Sequence, residues 1–248
     1  MSGRAWQLLA AGVVVYLVVL VLTLPAAMVL PRLLAGTPAA VGGVEGTLWR
    51  GSAATLVVAD IPSSGLRWRI EPLALLRGRL QARAEARLDE GFVRARIGYA
   101  PITRRLHAQE VQGATRLGRL TASAGFRGTD GNLSLQLEEL VMDAGWPVRL
   151  TGRLGVGALS IQDLGRQPLG DFEAVFRLEA QDVVAEFRDV AGLLDLEANL
   201  RIDRELRWAL EGEIAPRASA PANLHDALSL LGPPDERGRR PFGLGGRL

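Results

Sequence analysis

The chain has 248 residues, of which 48% are hydrophobic, 23% charged and 5% aromatic, and its net charge is +2. It contains no cysteine and only two histidines, His107 and His225. That excludes a disulfide framework, thiolate metal sites and cysteine nucleophiles, and nearly excludes a multi-histidine metal centre.

The apolar fraction suffices for a packed core. All 29 basic residues are arginine, which reads as coding bias. Near-balanced charge and sparse aromatics argue against a nucleic-acid surface. The charge drifts along the chain: residues 32–129 carry 15 arginines against 7 acids, a net of +8, and residues 130–213 carry 8 against 17, a net of −9. A bipolar surface with two different partners is one reading; drift on solvated strand faces is the other.

No charge lies between Arg4 and Arg32, and Leu8–Leu30 is a run of 23 nearly all apolar residues. A helix needs about 20 such residues to cross a bilayer. A cleaved signal peptide, with Pro25-Ala26-Ala27 at the cleavage site, is the alternative, but its apolar region is usually about 7–15 residues. Length favours an uncleaved anchor, with Trp6 beside Arg4 at the interface. The positive-inside bias then puts the N-terminus in the cytoplasm. The expected organisation is a single-pass anchor over residues 1–31 and a β-rich domain over 32–248, which in a bacterium would be the inner membrane and the periplasm.

Gly46-Thr47-Leu48-Trp49-Arg50-Gly51-Ser52-Ala53 is the densest unusual segment. Leu66-Arg67-Trp68-Arg69-Ile70 and Pro72–Gly78 follow it. The glycines let a strand bend, Trp49 and Trp68 fill the first end of the sheet, and an arginine beside a tryptophan stacks as a cation–π pair. Gly46, Trp49, Arg50, Gly51 and Trp68 are therefore the candidate site, either as a structural cap or as a partner-docking patch, since Trp and Arg are frequent interface anchors. Leu73–Leu76 after Pro72 reads as a helical turn.

From Leu80 the hydrophobic period is two, the mark of half-buried strands. Leu80–Leu88, Val93–Ile97, Leu120–Phe126, Leu133–Leu137, Val148–Leu154, Phe172–Leu178, Leu196–Ile202, Leu206–Ile214 and Phe242–Leu248 all alternate. Asp130-Gly131 predicts a hairpin turn. Asn223 is placed to cap a short helix carrying Leu224, Ala227, Leu228 and Leu231, which Gly232-Pro233-Pro234 stops. The expected fold is all-β: after the transmembrane helix, an elongated, curled, mostly antiparallel sheet of about a dozen strands, roughly 55–60 Å along its stacking direction, with one short helix near the C-terminus.

No nucleophile elbow, zincin motif or P-loop occurs. His107 beside Arg104 and Arg105 reads as surface, and the His225–Asp226 pair lacks a nucleophile. No catalytic residue, cofactor or metal is called for.

The anchor, the Gly46–Ala53 segment, the Trp68 strand with its Pro72–Gly78 tail, and Leu231-Gly232-Pro233-Pro234-Asp235 before a final strand together resemble the type II secretion system protein N family. The order matches along essentially the whole chain. The sequence is also similar to the wider AsmA-like group, whose members build curled β-grooves. The resemblance implies a non-enzymatic accessory subunit of the apparatus that exports folded proteins across the outer membrane. Its partners would be other secretion components in the inner membrane and periplasm, with membrane lipid around the anchor and no nucleic acid. A lipid-binding or lipid-bridging groove protein is the alternative.

Overall fold

The computed structural model describes residues 12–13, 16, 19–35, 39–58, 61–75, 79–88, 90–101, 103–118, 121, 128–165 and 167–247. The chain forms two compact units, Met1–Asp89 and Glu90–Leu248.

In the first unit, helix α1 (Ala26–Leu34) precedes strands β1 (Ala39–Gly46), β2 (Arg50–Val58) and β3 (Ile61–Ile70). A turn of helix α2 (Pro72–Leu75) leads to β4 (Leu80–Leu88). The strands form an antiparallel meander in sequence order. Directly opposed residues share a face. Val44, Ala53, Leu66 and Ala86 line up on one side, and Glu45, Ser52, Arg67 and Glu85 on the other. Helix α1 covers the apolar side: Ala26 is fully buried against Ala53 and Trp68, with Leu30, Val41, Val44, Leu66 and Ile70 around them.

The expected unbroken helix over Leu8–Leu30 falls partly outside the described residues, at positions 8–11, 14–15 and 17–18. Within them it needs correction. Residues 19–22 are helical, Thr23 turns, and α1 begins afresh at Ala26. Pro25 is the cause, because it has no N–H to continue the ladder and its ring disfavours helix in the residue before it. Among the described residues no helix is long and apolar enough to cross a membrane.

The second unit is a nine-strand antiparallel meander, again in sequence order. Its strands are β5 (Gly91–Ala100), β6 (Arg105–Arg116), β7 (Thr129–Asp143), β8 (Trp146–Ile161), β9 (Gly170–Glu179), β10 (Asp182–Gly192), β11 (Leu194–Ile202), β12 (Arg207–Pro216) and β13 (Arg240–Arg247). Helix α3 (Ala222–Ser229) lies between β12 and β13. The register carries one row, Val93, Gly113, Leu135, Leu154, Ala174, Phe187, Ala198, Gly212 and Phe242, across every strand. The adjacent row, on the opposite face, runs Arg94, Gln112, Gln136, Arg153, Val175, Glu186, Asn199, Glu211 and Gly243. Period-two patterning therefore produces one apolar and one mainly polar face. Helix α3 closes a small core in which Leu224 and Leu228 meet Leu169 and Leu194.

Two expectations about local structure are corrected here, and a third falls outside the described residues. Asp130-Gly131 is not a hairpin turn but a bulge within β7, with the Gly131 N–H donating to Asp130 Oδ1 at 2.8 Å. A bulge accepts glycine as readily as a turn does. The tight turns with positive φ are Ala144-Gly145 and Ala180-Gln181 instead. Asn223 is not the cap of α3, since Pro221 holds that position; the Asn223 amide donates to the Leu164 carbonyl at 2.6 Å and ties the helix to the loop after β8. The expected strand Leu120–Phe126 lies outside the described residues except for Thr121, which is helical.

Ion pairs stitch the polar face. Arg177 bridges Glu186 at 2.5 Å and Glu179 at 2.6 Å, and that hydrogen bond holds the Glu186 carboxyl below its usual range. At the β11–β12 turn, partial burial pushes the Asp203 carboxyl up, but bonds from the Arg207 N–H and guanidinium and the Glu205 N–H outweigh it and hold it low. A lowered folded-state pKa contributes stability above the unfolded value and loses it as pH falls through the folded one. The urea midpoint should therefore hold steady from neutral pH to the ordinary carboxylate range and fall below it. Glu186→Gln with Asp203→Asn should flatten that fall; an unaltered slope would show that these groups do not carry it.

Candidate functional site

The residues singled out in the sequence converge at the β1–β2 connection. Gly46 and Gly51 are the last opposed pair of the hairpin, and Thr47–Arg50 make its turn. The Thr47 N–H donates to the Arg50 carbonyl at 3.0 Å, and the Arg50 N–H returns to the Thr47 carbonyl at 3.2 Å. Gly46 has φ +89°, and a side chain there would meet the Arg50 carbonyl at 2.6 Å. Gly51 lies beneath Trp68: a Cβ on it would come within 2.5 Å of the indole ring. Glycine is required at both positions, by conformation at Gly46 and by close approach at Gly51.

The two tryptophans do different things. Trp68 is 9% exposed, packs under α1, and donates its indole N–H to the Leu48 carbonyl at 3.0 Å. Trp49 is half-buried and reaches back along the chain, its indole N–H donating to the Val21 carbonyl at 2.7 Å. Val21 is four residues before Pro25. In a continuing helix the N–H of residue 25 would bond that carbonyl, but proline has none. The Leu24 N–H reaches the same carbonyl at 3.4 Å, and the Trp49 indole adds the shorter bond in place of the one the proline cannot make.

Three more contacts complete the junction. The Leu48 N–H donates to the Leu24 carbonyl at 2.9 Å, Pro25 pairs with Thr47 as an antiparallel bridge, and the Ile70 N–H donates to the Trp49 carbonyl at 2.7 Å. The turn therefore holds the break in the apolar segment at residues 21–25 on one side and the end of β3 on the other. Each such bond is worth about 0.5–1.5 kcal/mol net, and an orphaned buried partner costs more.

Arg50 is exposed at the start of β2, opposite Arg69. The stacking expected of these arginines on Trp49 or Trp68 is not formed. Among the described residues the cation–π contact is Arg94 over the Phe92 ring, 5.5 Å from its centroid. Sequence reasoning missed the roles of Val21, Leu24, Pro25 and Ile70, whose bonds to the turn run through backbone groups. The one local signal was Pro25 itself, which in an apolar helical run implies a carbonyl in need of a donor.

Comparison with known proteins supplies a second line of evidence. Residues 37–243 match a family described as type II secretion system (T2SS), protein N. The chain is 28% identical over 248 residues to a type II secretion system protein N from Aeromonas hydrophila, covering 95% of each chain. It is 24% identical over 214 residues to the protein of the same name from Vibrio cholerae, covering 83% of this chain and 84% of that one. No solved structure gives a significant match.

Proposed function

The chain belongs to the type II secretion system protein N family, and from that membership we propose that it is an accessory subunit of the export apparatus, not an enzyme. In this reading its apolar N-terminal segment sits in the inner membrane. The two β units stand on the periplasmic side and bind other components of the machine.

The family match over residues 37–243 carries the proposal. The apolar, uncharged residues before the break at Thr23–Pro25 support the membrane placement, while those from Ala26 onward pack on the first sheet. The junction at residues 47–50 supports a positioning role, because it ties that break to the first sheet. A gene deletion tests the reading. Folded exoproteins should accumulate in the periplasm, with lipid composition unchanged. Undiminished secretion would overturn it.

One observation favours a second reading, a carrier of acyl chains. The apolar row from Val93 to Phe242 crosses all nine strands of the second unit, and apart from α3 no second layer covers that face among the described residues. Altered lipids with normal export in the deletion strain would favour the carrier.

A further inference from the structure

The first unit carries a line of like charges in the strand register. Arg50 on β2 opposes Arg69 on β3, and Arg69 opposes Arg83 on β4. Opposed residues have Cβ atoms about 4.5–5.5 Å apart, and like charges so placed are destabilising. All three are exposed. Arg83 is engaged by Glu71 at 3.4 Å. The Arg50 and Arg69 side chains have neither an ion pair nor a hydrogen bond among the described residues. Among the described residues of these strands, the remaining charges on this face are Arg67 and Arg87 against Glu45 and Glu85, which leaves it basic.

The position of the line gives it meaning. Arg50 closes the turn whose Trp49 and Leu48 hold the carbonyl of Val21 and that of Leu24, at the break in the apolar run before Pro25. The arginines therefore occupy the edge of the sheet nearest that run, on the face turned away from α1. Guanidinium groups bind phosphate in bidentate fashion. An uncompensated pair beside a membrane-embedded segment would meet phosphates at headgroup depth.

We propose that Arg50 and Arg69, flanked by Arg83, form a site for the headgroup phosphates of anionic phospholipids, which sets the first unit against the membrane surface. This rests on the reading that the apolar segment is embedded in the bilayer. The bound phosphates would offset the repulsion built into the register.

The test uses the full chain in nanodiscs of phosphatidylcholine, with or without phosphatidylglycerol. Phenylglyoxal, which modifies free arginines, is read by mass spectrometry at Arg50, Arg69 and Arg87. Arg87 is on the same face four residues beyond Arg83, roughly 13 Å along β4, and is the internal reference. Attraction to an anionic surface is about fivefold per arginine. Modification of Arg50 and Arg69 should slow by about that factor in the anionic discs, with Arg87 unchanged.

Equal rates in both discs would overturn the proposal. So would equal protection by inorganic phosphate in detergent micelles, which would mark a soluble-anion site. Failure of the chain to enter discs at all would defeat the membrane reading itself, and is seen separately by flotation.

Discussion

Trp68→Ala should cost the first unit about 3–5 kcal/mol, the range for truncating a large buried aromatic. Trp68 is 9% exposed and lies between Gly51 and the α1 packing at Ala26. Its removal opens a cavity over a glycine that cannot fill it and strips the donor from the Leu48 carbonyl. Hydrogen exchange of β2 and β3 amides, followed with urea, measures the loss in this unit. Trp49→Phe makes a useful contrast. It keeps an aromatic ring and deletes one exposed hydrogen bond to Val21, so its cost should be about 0.5–1.5 kcal/mol. Equal costs at the two positions would contradict the division of labour between the tryptophans.

Leu224→Ala should destabilise the second unit by about 2–5 kcal/mol. Leu224 is 1% exposed and packs with Leu169, Leu194 and Leu228 under α3. Most residues of the apolar row are only half-buried, so this cluster is where the unit has a dry interior. Exchange protection around β9 and β11 should fall with the substitution. A loss below about 1 kcal/mol would mean that α3 is an ornament on a sheet stable by itself, since such a truncation in a true core costs at least about 2 kcal/mol.

Strands β4, β5, β7, β8, β9, β11, β12 and β13 were legible because each carries a stretch of alternation, in β7 the part from Leu133 to Leu137 between its bulges. Strand β1, Ala39–Gly46, escaped notice because Ala-Ala-Val-Gly-Gly offers no contrast between faces. In β6 a bulge at Glu110, with φ +52°, shifts the alternation midway. In β10, Val183, Val184 and Ala185 are consecutive apolar residues, which hides the period. Of the site, the glycines and tryptophans announce themselves by type. Their partners do not, because Val21, Leu24 and Ile70 act through backbone groups that any residue has. The pairing of Trp49 with the Val21 carbonyl spans 28 residues and leaves no periodic trace.

The central claim is that the turn at residues 47–50 fastens the break in the apolar segment to the first sheet. The chain has no cysteine, so a designed pair reports without background. Pro25 and Thr47 face each other in an antiparallel bridge, where Cα atoms are about 4.5–5.5 Å apart, within disulfide range. With Pro25→Cys and Thr47→Cys in the full chain in membranes, mild oxidation should convert nearly all molecules to an intramolecular disulfide, seen as a mobility shift that reductant reverses. Thiols that remain free under the same oxidation would contradict the junction, and with it the account of how the sheet is positioned.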